Sequence, residues 1–172
     1  MIGDVITRVL PWMSMGDEVS LHMDASPEEV WALVSDVTRI GEFSPETFEA
    51  RWRRGSTGPE VGARFKGHVK RNGVGPTYWS ACRVTACVPN EVFEFVVEVE
   101  GPLDGPVNRW GYRLEPDGDG TLVTEYFKLG SSLPLKAYWL VLGPLRGRTN
   151  ANGMRTTLER MKTVLETEAP GG

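Results

Sequence analysis

The final quarter of the chain, residues 133–168, holds the one long amphipathic helix that the sequence offers, and it limits what the rest can do. Ala151, Met154, Leu158, Met161 and Leu165 recur at three- and four-residue steps, while Arg155, Glu159, Arg160, Lys162 and Glu166 fall on the other side. A stripe of that kind must be buried against something. Toward the N-terminus, Gly143, Gly147 and Ala151 extend it with almost no side chain, which means either close backbone approach or unfilled volume. We take it as unfilled volume, and hence as a cavity.

The covering surface comes from the preceding residues. Residues 19–25 alternate, with Val19, Leu21 and Met23 on one face and Ser20, His22 and Asp24 on the other, as in a half-buried strand. Ser26-Pro27-Glu28-Glu29 then supplies a helix cap, a proline at the first helical position and an acid three residues after the cap. The helix runs to about Asp36, and a second short helical segment covers 38–43. From Thr47 onward the period is two. Turn residues at 55–62, 72–76, 89–90, 101–106 and 116–120 separate candidate strands at 48–54, 63–71, 78–88, 92–100, 108–115 and 121–129. Short connections imply an antiparallel meander, and the helix is the only element long enough to cover its face. The fold class is therefore α+β: a seven-stranded curved antiparallel sheet wrapped around a long C-terminal helix, with two short helices after the first strand. Residues 1–17 read as a mostly loose tail and 18–169 as one domain.

The run Ala25-Ser26-Pro27-Glu28-Glu29-Val30-Trp31-Ala32-Leu33-Val34-Ser35-Asp36, with Phe43-Ser44-Pro45-Glu46 after it, resembles the opening of bacterial polyketide cyclase/dehydrase-like proteins of the START/Bet v 1-like (SRPBCC) superfamily. Further matches follow in the same order. They are Asn108-Arg109-Trp110-Gly111-Tyr112-Arg113-Leu114-Glu115-Pro116, Gly120-Thr121-Leu122-Val123-Thr124-Glu125, and Asn152-Gly153-Met154 with Thr157-Leu158. The resemblance implies a helix-grip fold with a deep cavity between sheet and helix, of the kind that in related proteins holds sterols, lipids or polyketides. Such folds host carriers, cyclases, hydrolases and regulators, so the fold alone does not name an activity.

The aromatic residues Trp79, Phe95, Trp110, Tyr112, Phe127, Tyr138 and Trp139 are candidates for lining that cavity, with plain core packing the alternative for each. Trp110, Tyr112 and Leu114 share one strand face. Glu125, between Val123 and Phe127, points inward by the same alternation, and a buried carboxylate needs a partner or a proton. Arg83, read as sharing a face with Trp79 and Ala81, is the candidate partner. The pair is either a polar anchor for a ligand or a structural ion pair. Gly143, Gly147 and Met154 complete the expected ligand-binding set, and Glu125, Arg83 and Tyr112 are the candidates for any proton transfer.

The remaining residues exclude more than they suggest. The two histidines, His22 and His68, sit among polar neighbours and have no metal-ligand spacing, so no metal or cofactor is expected. Cys82 and Cys87, five apart on one strand, point by alternation to opposite faces and do not bridge, which fits a cytoplasmic protein. No nucleophile elbow or phosphate loop is present. With a formal net charge of −4 and mixed signs along the chain, there is no electrostatic footprint for nucleic acid or an anionic membrane, and neither partner nor stable membrane insertion is expected. Pro144 predicts a break near Gly143, making 133–145 a separate short apolar helix that closes the cavity as a lid, contacts a second copy or touches a membrane transiently during ligand exchange, or else the buried first half of the long helix. The leading function is binding or carriage of a hydrophobic small molecule by a monomer or homodimer. The alternatives are an aromatase/cyclase-like enzyme acting on a polyketide, and a protein-interaction module using 133–145.

Overall fold

The computed structural model describes residues 16–99, 105–130 and 133–169, without the side chains of Asn72 and of 133–148. The expected tail therefore lies outside the described residues, apart from its last two positions. In chain order the elements are β1 (Gly16–Met23), α1 (Pro27–Ser35), a 3-10 turn (Val37–Glu42), β2 (Thr47–Arg53), β3 (Arg64–Val69), β4 (Tyr78–Val88), β5 (Val92–Val99), β6 (Gly105–Asp117), β7 (Gly120–Leu129) and α2 (Leu133–Glu168). All seven strands form one antiparallel sheet in the order β1-β7-β6-β5-β4-β3-β2. This is the seven-stranded helix-grip arrangement with short helices after the first strand.

Local chemistry accounts for the entry into α1. The Glu29 amide donates to Ser26 Oγ at 3.3 Å and the Ser26 amide donates to Glu29 Oε2 at 2.8 Å, a reciprocal capping box with Pro27 just inside it. Val30, Leu33 and Val34 of α1 are buried, and Trp31 meets Phe93 edge to face. On α2, Met154, Leu158, Met161 and Leu165 are buried, which is the stripe read from the sequence. Arg39 then joins the 3-10 turn to the end of α2 by bonding both Glu42 and Glu168.

Two expectations are corrected. Helix α2 runs through Gly143 and Pro144 without the expected interruption, so 133–145 is its first part and not a separate helix. A proline there removes one amide from the ladder without obliging the helix to stop. The second correction concerns β4. Its register with β5 shifts between Val84 and Ala86, so Cys82 lies opposite Val97, Val84 opposite Phe95 and Cys87 opposite Phe93. The irregularity resets the alternation, placing both cysteines on the same face of the sheet. Their partners are four residues apart on β5, a spacing of about 13 Å, so the thiols remain too distant to bridge. Both are free.

Candidate functional site

Between the inner face of the sheet and α2 lies a cavity of about 140 Å³. Its floor is built by alternation: Phe65, Gly67 and Val69 come from β3, Tyr78, Ser80 and Cys82 from β4, and Phe95 and Val97 from β5. Asn108, Trp110 and Tyr112 of β6 and Glu125 of β7 continue it, while Asn150, Gly153, Met154 and Thr157 of α2 form the roof. Ile40 and the segment from Ser44 to Thr47 close one side. Gly153 matters for the volume, because a Cβ added there would meet nothing within 4 Å. Vacancy on the helix face is thus present among the described residues, further along than Gly143 and Gly147, whose surroundings lie outside them.

The polar centre is Glu125, which is only 5 % exposed. The Tyr112 hydroxyl, directly across the ladder, donates to Glu125 Oε1 at 3.3 Å. The second oxygen, Oε2, has no hydrogen-bond partner among the described residues. Thr157 is close enough to ease ionisation, but its hydroxyl proton goes to the Gly153 carbonyl at 3.0 Å. Burial therefore dominates and pushes the Glu125 carboxyl up to about 8, against the smaller opposing effects of Tyr112 and Thr157. Near neutral pH Glu125 is a neutral acid. Burial first, and then the adjoining carboxyl, raise the Tyr112 phenol well above its ordinary value, so it keeps its proton too. Asn108 Oδ1, on the cavity lining, is a second buried oxygen without a partner among the described residues. The arrangement can donate a proton or hydrogen bond from the wall of a largely apolar chamber.

The structure brings together Phe95, Trp110, Tyr112, Glu125 and Met154 of the expected residues. Phe127 is buried beside them, its ring 4.8 Å from that of Trp110. The side chains of Tyr138 and Trp139 lie outside the described residues. Arg83 and Trp79 do not join the site. Arg83 Nε bonds Glu98 Oε1 at 2.7 Å on the outer face, and β4 is three strands from β7, roughly 14 Å at ordinary strand spacing. Trp79 is also on the outer face, its ring stacked on His68 at 4.4 Å. The inward residues of β4 are Ser80, Cys82 and Val84, a set marked in the sequence by Cys82 and Val84 flanking the charged Arg83. Ser80, Cys82, Gly67, Asn108, Gly153 and Thr157 were not singled out by sequence, because small and neutral residues have no alternation of their own that points to a cavity.

Residues 18–166 match the family model described as polyketide cyclase/dehydrase and lipid transport. The chain belongs to this family. Among solved structures it is similar to a polyketide-cyclase-like protein of Corynebacterium glutamicum at 29% identity, with a TM-score of 0.58 over 90% of this chain and 93% of that one. It is also similar in fold to a START superfamily protein of Mycobacterium smegmatis, at 16% identity and a TM-score of 0.68 over 88% of this chain and 97% of that one. No curated protein sequence matches it significantly. A family described by cyclase and lipid transport functions fits a largely apolar chamber and points to a hydrophobic ligand. Among the described residues no group of three or more His, Cys, Asp or Glu side chains is placed to hold a metal ion, and no helix is long and apolar enough to cross a membrane.

Proposed function

We propose that this family member binds and carries a hydrophobic small molecule whose polar head is held by Glu125 and Tyr112. The observation that carries this reading is the buried carboxyl with one unpartnered oxygen on the wall of an apolar cavity. A buried polar atom without a partner costs about 1–3 kcal/mol, and a ligand group that pairs with it recovers that cost. As a neutral acid, Glu125 donates to a ligand carbonyl or ether; the body of the molecule then lies against Phe65, Phe95, Trp110 and Met154. A cavity of about 140 Å³ is close to the roughly 150 Å³ known to admit benzene, so one ring or a short chain fits as the cavity stands. A sterol or long acyl chain requires α2 to move outward. Two free thiols suit a reducing compartment, in keeping with a cytoplasmic carrier.

Native mass spectrometry of the purified chain, followed by solvent extraction, tests this reading. A co-purifying apolar molecule is expected, and Glu125→Leu should lower its occupancy about tenfold. Equal occupancy in the variant would remove Glu125 from the anchor. An aromatase/cyclase-like activity on a polyketide is the second reading, favoured by one feature: two protonated groups, Glu125 and Tyr112, adjoin inside the chamber and can serve as general acid toward an enolisable carbonyl. Under that reading Glu125→Gln retains binding but loses turnover.

A further inference from the structure

The overall charge of −4 conceals a local excess of the opposite sign. From Thr47 to Arg71 the chain has seven basic residues and only two acidic ones, Glu49 and Glu60. This segment forms β2, β3 and the turn beyond: Arg53, Arg54 and Arg64 lie at the β2–β3 turn, while Arg51, Lys66, Lys70 and Arg71, with Glu46 and Glu49 among them, lie toward the other end beside exposed apolar side chains. On the outer face of β2, β3 and β4 the rings of Phe48, His68 and Trp79 lie in a row, the first pair tilted and the second stacked. Phe48 lies 4.2 Å from His68, and His68 lies 4.4 Å from Trp79 at an interplanar angle of 13°. Phe48 and Trp79 are 47% and 40% exposed, and Lys66 Nζ sits 4.1 Å from the Trp79 ring centroid. At the same end of the sheet, the β3–β4 connection exposes Val74 by 76%, and Tyr78, the first residue of β4, is 42% exposed. Lys70 and Arg71 beside them are exposed, and neither forms an ion pair among the described residues.

Large exposed side chains of this kind are uncommon when grouped, and a group mixed with unpaired cations has a narrow range of partners. Aromatic residues with an apolar body and a polar edge favour the interface of a bilayer, and unpaired lysines and arginines are drawn to anionic headgroups. The location adds a second argument, because Arg71 and Tyr78 also line the cavity, which therefore reaches the surface at this end.

We propose that this end of the sheet, with Phe48, Trp79, Tyr78 and Val74 as the apolar contact and Lys66, Lys70 and Arg71 as the charged one, docks on the surface of an anionic lipid bilayer. Docking there sets the cavity opening against the lipid. The surface acts whether or not the cavity is filled, so vesicle binding is read independently of any ligand.

The test is co-sedimentation of the full chain with vesicles of phosphatidylcholine, alone or mixed with phosphatidylglycerol. Binding should require the anionic lipid and fall as salt is raised, since the Debye length drops to about 10 Å at 0.1 M. Lys66→Gln and Lys70→Gln should each weaken it about fivefold, from roughly 1 kcal/mol per cation near such a surface. Trp79→Ala should weaken it further and reduce the quenching of tryptophan fluorescence by brominated lipid. Arg155→Gln with Lys162→Gln, on the exposed side of α2, is the control and should leave binding unchanged. Three results overturn the proposal: no preference for anionic vesicles, an equal loss in the α2 control, or binding to nucleic acid that the lysine variants weaken while vesicle binding is unaltered.

Discussion

Glu125 is the residue on which the chemistry turns, and its protonation ties stability to pH. The unfolded chain releases this proton near the ordinary value of 4.5, whereas the folded chain holds it to about 8. Between those limits the folded state binds more protons, so stability falls as pH rises through the window and the loss is complete above about 8. The loss is on the order of a few kcal/mol. Glu125→Gln reproduces the neutral acid without titrating. Urea unfolding should therefore give similar stabilities for the two proteins near pH 5 and a less stable wild type at pH 8, while parallel pH profiles would contradict the assignment. Tyr112→Phe deletes the hydrogen bond that favours ionisation, so the Glu125 titration followed by carboxyl NMR should move upward, not downward. Alternation alone showed that Glu125 points inward. Its partner was misassigned: the expected meander already sets two strands between Arg83 and Glu125, and the observed order places Tyr112 beside Glu125 while Arg83 bonds Glu98 on the outer face.

At the scale of elements, legibility followed how local the determining interaction is. The α1 cap is made by four consecutive residues and was fully readable. Ser26→Ala removes the acceptor of the Glu29 amide and should cost about 1 kcal/mol, seen as a lowering of the thermal midpoint by about 2–4 °C. The inner face of β4 was not readable in the same way. A large aromatic residue, Trp79, suggests burial, yet it is one member of an outer stack with His68, and that stack forms only when β3 and β4 pair. The register shift near Ala86 depends on pairing with β5, so the cysteines share a face that period-two alternation denies them. A similar non-local reason explains Gly111 on the outer face of β6. The Tyr126 ring lies over it and the Tyr126 hydroxyl donates to Glu94 Oε2 at 2.8 Å, leaving no room for a Cβ. Gly111→Ala should displace that ring and destabilise the chain by about 1–3 kcal/mol, measurable by denaturant unfolding.

Across the whole molecule the sheet and α2 are held apart as much as together. Met154, Leu158, Met161 and Leu165 seal the helix to the core, and the stripe that announced this was plain in the sequence. The same helix withholds volume at Gly153, where an added Cβ reaches open space on the cavity wall. The two roles make opposite demands on substitution. Glycine inside a helix costs about 1 kcal/mol relative to alanine, so Gly153→Ala should stabilise the protein by up to that amount while leaving most of the cavity open. Gly153→Leu adds apolar surface that the cavity can bury, at about 25 cal/mol per Å² removed from water, and should be at least as stable as the wild type. It also occupies the space beside Glu125 and Thr157. Ligand recovered by extraction should then drop at least tenfold in the leucine variant and little in the alanine variant, with neither midpoint lowered. A stability gain without ligand loss would mean that the unfilled volume is a packing defect; ligand loss accompanied by a fall in midpoint would mean that Gly153 is required by the fold. Only the combination of higher stability and lost ligand identifies the vacancy as functional, since a protein gives up readily available packing energy where binding needs the space.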